Sequence, residues 1–342
     1  MEGAAAVAAT NGDRFGLSWR GALAAGILAN RERLDCLEVI ADDYTRGDEA
    51  AVRSLAALAR HMPLTLHSIQ LGLASTEGVE TRRLDALRRL ADRVEPESWS
   101  EHLAFVRSGA MEMGHLAAQA RNGATVAATL ENLDRVGRAM GRAPAVENVA
   151  TLVDPPGSTM SEAEWLGRIL AECSNPLLLD LHNVHTNALN FGFDARAFLD
   201  QLPLHRVGTL HIAGGRPLEQ RYLDDHKHPV PGEVFALLEY VAARTMQPLT
   251  VILERDGAFA GMEPLLAELE MARVAVASGR SAPVGPAPLK AWAAVRADVD
   301  AAWQGRLAQA YLSGSAEGLG PGVDGEGLTL TAASLARKRG SS

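Results

Sequence analysis

The chain has 342 residues, 47% of them hydrophobic and 22% charged, a balance that builds one sizeable core and excludes disorder throughout. Its 42 acidic against 33 basic residues leave a net charge of −9, so the global charge does not favour a polyanion and no nucleic-acid partner is expected. Two cysteines, Cys36 and Cys173, are too few for a disulfide framework and too far apart for a zinc ribbon, and read as small apolar core residues.

Residues 1–13 read as a disordered segment, with Glu2 where a secretory signal has basic residues and an apolar run too short for one. No apolar stretch approaches the roughly 20 residues of a membrane span. The expectation is a cytoplasmic protein without a membrane partner. From there strand-like and helix-like segments alternate. Phe15 to Trp19 reads as a strand, Gly21 to Asn30 as a helix, Cys36 to Ala41 as a strand ending at Asp42 and Asp43, and Ala50 to His61 as a helix. Leu64 to Ile69 is the third strand, Glu80 to Val94 an amphipathic helix, and Trp99 to Phe105 the fourth strand. Val126 to Met140 is helical, Ala145 to Val149 a strand, and Ser161 to Glu164 starts the next helix like a capping box. Leu177 to Leu181 is apolar around Asp180, as in a strand covered on both faces. Helix Ala195 to Gln201, strand Val207 to Ile212, helix Gly232 to Thr245, strand Leu249 to Leu253 and helix Pro264 to Ala277 complete eight βα units.

Right-handed crossovers close such a series into an α/β (β/α)8 TIM barrel over residues 14–280. Residues 281–342 read as an extension: a linker at SAPVGPAP, an amphipathic helix from Leu289 to Leu312 with Trp292, Val295, Val299 and Trp303 on one stripe, and a flexible Gly/Ser-rich tail. The helix is expected to pack on the barrel or to dock a partner or substrate.

Six successive strands end in metal-preferring side chains: His67, His102, Glu147, Asp180, His211 and Glu254. Asp224 and His226 follow the seventh strand, and His182 or Asn183 adds a further donor. In a barrel those ends surround one mouth. Carboxylates converging in a low dielectric repel unless cations separate them, and this set exceeds what one ion can use, so two or three bridged ions are expected, with these residues carrying the catalysis. No cysteine lies among them, and mixed N/O ligation suits iron, manganese, zinc or cobalt. His61, His115 and His205 read as surface or structural, and His185 and His228 as intermediate cases near the mouth. Glu38 and Glu101 read either as residues orienting a ligand imidazole or as polar barrel-layer residues. Trp99 and Trp165 read as packing residues.

With these residues assembled, the chain resembles the multinuclear non-heme iron-dependent oxidative enzymes. The matching stretches are FGLSWR, CLEVIADDY, LTLHSI, WSEHLAF, VENVA, LLLDLHNVH, NFGFD, VGTLHIAGG, LDDHKHPVP and ILERD, in the family's order over residues 14 to 275. The resemblance implies a xylose-isomerase-like barrel holding two or three iron ions, dioxygen as co-substrate, and oxidation of cysteines in a ribosomally made precursor peptide. A small partner protein often presents that peptide. The implied pattern falls on His67, His102, Glu147, Asp180, Asn183, His211, Asp224, His226 and Glu254. Two departures stand out: His182 and His185 occupy a stretch where the family commonly has two asparagines and later a tyrosine, and Lys227 replaces the glycine after the loop histidine.

Three other readings fit parts of the pattern. A zinc phosphodiesterase resembling apurinic endonucleases would use a similar donor set, but the acidic balance and the lack of a basic, aromatic-interleaved loop oppose it. A sugar isomerase would want a lysine near the metal-bound substrate and fewer histidines. A metal-storing or peptide-binding scaffold would bind without consuming dioxygen.

Overall fold

The computed structural model describes residues 12–46, 48–285, 290–292 and 301–339. The N-terminal residues through 11, the end of the linker at 286–288, Leu289, and Val295 and Val299 of the expected stripe lie outside the described residues. Asp13, expected in the loose N-terminal segment, is buried, and its carboxylate accepts from Leu249 N and from Arg280.

Eight parallel strands close into a barrel in the order β1-β8-β7-β6-β5-β4-β3-β2. They are β1 (Arg14–Trp19), β2 (Cys36–Ile40), β3 (Leu64–Ser68), β4 (Ser98–His102), β5 (Ala145–Glu147), β6 (Leu177–Asp180), β7 (Val207–Ile212) and β8 (Thr250–Leu253). Their apolar residues are buried towards both the interior and the helices, as parallel strands require. Register fixes the height of each strand end: His102 lies opposite Glu147, and Asp180 opposite His211. The helices that matter for the mouth are α1 (Gly123–Met140), α2 (Glu162–Glu172), α3 (Leu181–Phe191), α4 (Gly232–Ala242) and α5 (Met262–Ser281). Ser161 caps α2 by accepting from Glu164 N, as the spacing predicts.

Four segments differ from the sequence reading. The fourth strand stops at His102, and Phe105–Ser108 instead begins a hairpin with Met111–Ala117. A second hairpin, Arg216–Leu218 with Arg221–Leu223, follows β7. Helix α3 starts directly at the end of β6, before the expected Ala195 helix. The chain expected as a loose tail contains a helix: after α6 (Ala301–Ser313) comes α7 (Gly325–Arg339). Residues 301–313 fulfil part of the helix expected to end at Leu312.

The extension packs on the barrel through its own apolar core, where Phe105, Met113 and Val153 meet Leu307, Tyr311, Leu328 and Leu335. Gln304 is fully buried and accepts from Thr76 N and Gln119 Nε2. Tyr311 donates to Ala118 O, and Trp303 to Pro156 O. Among the described residues, no helix is long and apolar enough to cross a membrane. Cys36 and Cys173 are free thiols, and burial pushes the Cys36 thiol up to about 12, as suits an inert core residue.

Candidate metal centre

The strand ends converge on a cavity of 470 Å³ at the barrel mouth, with His67, His102, Glu147, Asn183, His226 and Glu254 in its wall. Three groups of donors gather there: His67, His102 and Glu147; Glu147, Asp180, His211 and Glu254, which share Glu147 with the first; and His182, Asp224 and His226. A fourth, more exposed group joins His226 and Glu254 to Asp256. Every residue named as a metal candidate from the sequence is at this mouth, Asn183 included.

The donors stand close together. Glu147 Oε2 stands 3.3 Å from both His67 Nε2 and His102 Nε2, and Glu147 Oε1 3.4 Å from His211 Nδ1. His211 Nδ1 is 3.3 Å from Glu254 Oε2. Ligands about 2.0–2.2 Å from one ion lie roughly 3.0–3.5 Å from each other, so these distances are compatible with shared coordination of an ion. Glu147 Oε2, both His211 nitrogens, Asp180 Oδ2, His182 Nε2 and Asn183 Oδ1 are all buried without a hydrogen-bond partner. Leaving so many polar atoms unsatisfied is costly, and bound cations remove the cost. The donor set therefore fits the multinuclear centre expected from the sequence.

The surrounding residues aim the donors. His67 Nδ1 bonds Ser100 Oγ at 2.7 Å, which turns Nε2 towards Glu147. Asp180 ends β6 and caps α3, accepting from Asn183 N at 2.8 Å through Oδ1 while Oδ2 stays unbonded. Asn148 ties this junction together: it accepts from Asp180 N and donates to Asp180 O, while its own carbonyl accepts from Asn183 Nδ2. Glu38 Oε1 lies 2.9 Å from His211 Nε2, and Glu101 accepts from Leu71 N and His102 N, so both carboxylates stand against candidate donors.

Asp224 and His226 arrive from the second hairpin. Gly215 makes its close return possible, since a Cβ there would lie 2.2 Å from Leu223 O and 3.0 Å from the His182 ring. Asp224 Oδ1 is 2.7 Å from both His182 Nδ1 and His226 Nε2. His226 holds a left-handed backbone, φ 52°, pinned where its carbonyl accepts from Asp256 N.

The packed imidazoles and carboxylates shift one another's proton affinity. Burial opposes the charge on His211, but Glu38, Glu254 and Glu147 outweigh it and hold its pKa well above the ordinary value. His226 is raised likewise against burial by Asp224 and Glu254, and His102 to about 9 by Glu147 and Glu101. Burial dominates at His67, whose pKa falls despite Glu38 and Glu147. Asp180 rises to about 8 through burial, opposed by His226 and reinforced by Glu147 and Asp224. Glu254 is held well below the carboxylate range by His211 and His226 in spite of its burial.

Some mouth residues carried no functional expectation. Arg20, after β1, pairs with Asp256 and reaches Glu254 at 3.8 Å. His115, expected to be surface or structural, stands in the cavity wall beside Lys338 of α7, 2.6 Å between Nε2 and Nζ. Arg20 and Asp256 fall within FGLSWR and ILERD and could have been found there. His115 had no such signal, because only the packing of α7 brings it to the mouth. His185 is half-buried beside the His182 and Tyr222 rings, His228 pairs with Asp225, and His61 and His205 lie elsewhere.

The sequence profile of the family described as RiPP precursor modification enzyme MbnB/TglH/ChrH matches residues 14–277. The chain belongs to this family. RiPPs are ribosomally synthesised, post-translationally modified peptides, so the family is one of peptide-modifying enzymes. Proteins named UPF0276 are similar to the chain. One from Caulobacter vibrioides is 31% identical over 269 residues, covering 78% of this chain and 96% of that protein. Another, from Bordetella bronchiseptica, is 32% identical over 271 residues, covering 78% and 93%. A solved structure of L-ribulose 3-epimerase, 12% identical, superposes with a TM-score of 0.50 over 78% of this chain and 96% of that one. That likeness shows the fold alone. The expected (β/α)8, xylose-isomerase-like barrel is the fold found, and the extension after residue 280 lies beyond the family match.

Proposed function

We propose that the chain is an iron-dependent oxidoreductase that uses dioxygen to modify cysteine residues of a ribosomally made precursor peptide. The observation that carries the reading is the run of adjacent donor groups in which buried atoms of Glu147, Asp180, His182, Asn183, His211 and His226 are left without a hydrogen-bond partner. His67, His102 and Glu147 would hold one ion, Glu147, Asp180, His211 and Glu254 a second, and His182, Asp224 and His226 a third, with Asn183 Oδ1 at the edge. This oxygen- and imidazole-rich set admits zinc or manganese as well, and the resemblance to multinuclear iron-dependent enzymes is what favours iron in this reading. When bound, the ions supply open positions for a thiolate and for dioxygen, and a path for the electrons of the oxidation.

The chain's own residues do the rest. Ser100, Glu101 and Asn148 hold ligands in place, Arg20 restrains Glu254 and Asp256 at the rim, and the roofed cavity limits water around the reacting cysteine. A small protein that presents the peptide belongs to the same reading, as does a cytoplasmic setting. The test is anaerobic purification with elemental analysis, followed by oxygen uptake on adding a cysteine-containing peptide encoded near the gene. Two or more irons per chain and peptide-dependent uptake are expected. Stoichiometric zinc, no uptake and cleavage of abasic DNA would replace the reading with a hydrolase.

A further inference from the structure

Helix α7 roofs the cavity. Thr331, Ser334 and Leu335 share one helix face, and all three are cavity-wall residues. The roof is fixed in place. Leu328 and Leu335 are buried in the apolar core shared with the Phe105–Ala117 hairpin. Arg339 donates to Met113 O and Glu112 O, and Asp324 pairs with Arg221. With the roof closed over them, the wall residues that stay exposed are Asp43, Lys227 and Asp256, so the cavity opens to solvent past the ends of β2, β7 and β8.

The wall across from that opening is of another kind. It is built by Leu116, near the end of the first hairpin, and by Val149, just past β5, and β5 stands opposite β1 in the closed strand order. Ala104, Ala118 and Val149, with Leu116 packed against them, form an apolar cluster separate from both the barrel core and the core under the roof. Leu116, Ala118 and Val149 are wall residues, and Leu116 is only partly buried. His115 and Lys338, also in the wall, bond each other. Apolar side chains that face a cavity are covered favourably by an apolar group of a ligand. Thr186 gives an independent sign of a ligand on this side. It precedes Asn187 on α3, whose side chain donates to Val149 O and accepts from Thr151 N. Thr186 is a wall residue too, and its hydroxyl is buried without a hydrogen-bond partner. Such a group is costly unless a ligand supplies the partner, and a peptide backbone carries both donors and acceptors.

We infer that Leu116, Ala118 and Val149 line a specificity subsite that takes an apolar side chain of the substrate peptide, on a residue adjoining the reacting cysteine. The inference rests on the reading that a cysteine-containing peptide occupies this cavity. The subsite adjoins the donors, because Val149 follows Glu147 and Asn148 directly in the chain. A cavity of 470 Å³ lies within the roughly 300–1,000 Å³ of ligand pockets, which leaves room for a neighbouring side chain beside the cysteine. Burying a leucine-sized side chain against an apolar wall changes affinity by about tenfold or more.

The experiment is calorimetric binding of short peptide amides to the anaerobic, metal-loaded full chain. The probes are Ac-Leu-Cys-Gly and Ac-Gly-Cys-Leu, each paired with the same peptide carrying asparagine, a polar side chain of similar size, in place of leucine. The wild-type protein is expected to bind at least one leucine probe about tenfold or more tightly than its asparagine counterpart. Which of the two is preferred identifies the side of the cysteine on which the subsite lies. Leu116→Asn is expected to abolish most of that preference and Leu116→Met to retain it, with metal content unchanged in both. Equal binding of leucine and asparagine probes by the wild type overturns the inference and leaves the peptide reading standing, and this comparison decides even where Leu116→Asn fails to fold. A preference undiminished in a folded Leu116→Asn also overturns it. Binding of none of the probes overturns both.

Discussion

The floor and the roof of the cavity are built by opposite means. The floor is a ring of strand ends in which carboxylates and imidazoles stand 3.3–3.4 Å apart without hydrogen bonds. The roof, α6 and α7, rests on an apolar core and on satisfied contacts such as Gln304 with Gln119 and Tyr311 with Ala118. Only the floor falls within the family match. Charge concentrated for chemistry costs stability, whereas a packed helix contributes stability and can vary the cavity's shape without touching the donors.

The largest expected effect comes from breaking the floor. Glu147 belongs to two donor groups, so Glu147→Gln is expected to remove at least one ion per chain and to lower peptide-dependent oxygen uptake by about 100-fold or more. Elemental analysis beside the oxygen electrode checks it, and unchanged metal content would place the ions elsewhere. In the roof, Leu328→Ala deletes a fully buried side chain and is expected to cost about 2–5 kcal/mol in chemical denaturation while metal content stays at the wild-type level. Loss of metal there would show that floor and roof form one cooperative unit.

The pH dependence of the metal-free chain separates the two further. His102 with a folded pKa of about 9, Asp180 at about 8, and His211 and His226 both raised bind protons more tightly folded than unfolded. Between pH 7 and 9 the folded state thus holds more protons, and stability falls as pH rises. Melting temperatures in chelator at pH 7, 8 and 9 should decrease in that order, and saturating metal should flatten the trend because the ion replaces the protons. A rise with pH would contradict these proton assignments. The smallest effect is expected at Gly114→Ala, which strains a left-handed backbone and pushes on Arg339: about 1 kcal/mol, with a measurable loosening of α7 in hydrogen exchange.

The same contrast explains what could be read in the sequence. The floor is local: each donor terminates an apolar run, as His67 does in LTLHS and Asp180 in LLLD, so strand and ligand announce each other. The roof is not. Gly325–Arg339 has a diluted apolar pattern among Gly, Ser and Thr, and its helix is held by contacts more than 200 residues away, such as Arg339 with Met113. Helix α3 escaped notice for a related reason. Asn183, Asn187 and Asn190 are weak helix formers, and they are buried here because each donates to a backbone carbonyl of residues 148–151. His115 and Lys338 become neighbours only once both distant segments are placed.

Asp180 and Glu147 are different kinds of candidate donor. Asp180 is tethered: with Oδ1 committed to the first turn of α3, it offers the centre one oxygen at a fixed position. Glu147 is not committed in this way, and its two oxygens reach separate imidazoles. On the proposed reading, an ion of altered radius would be accommodated by Glu147 and Glu254, and a displacement of Asp180 would be passed to α3 and so to His182 and Asn183 on its first turn. The group containing Asp180 would in this way, on the same reading, be geared to the group containing His182 through a single helix end.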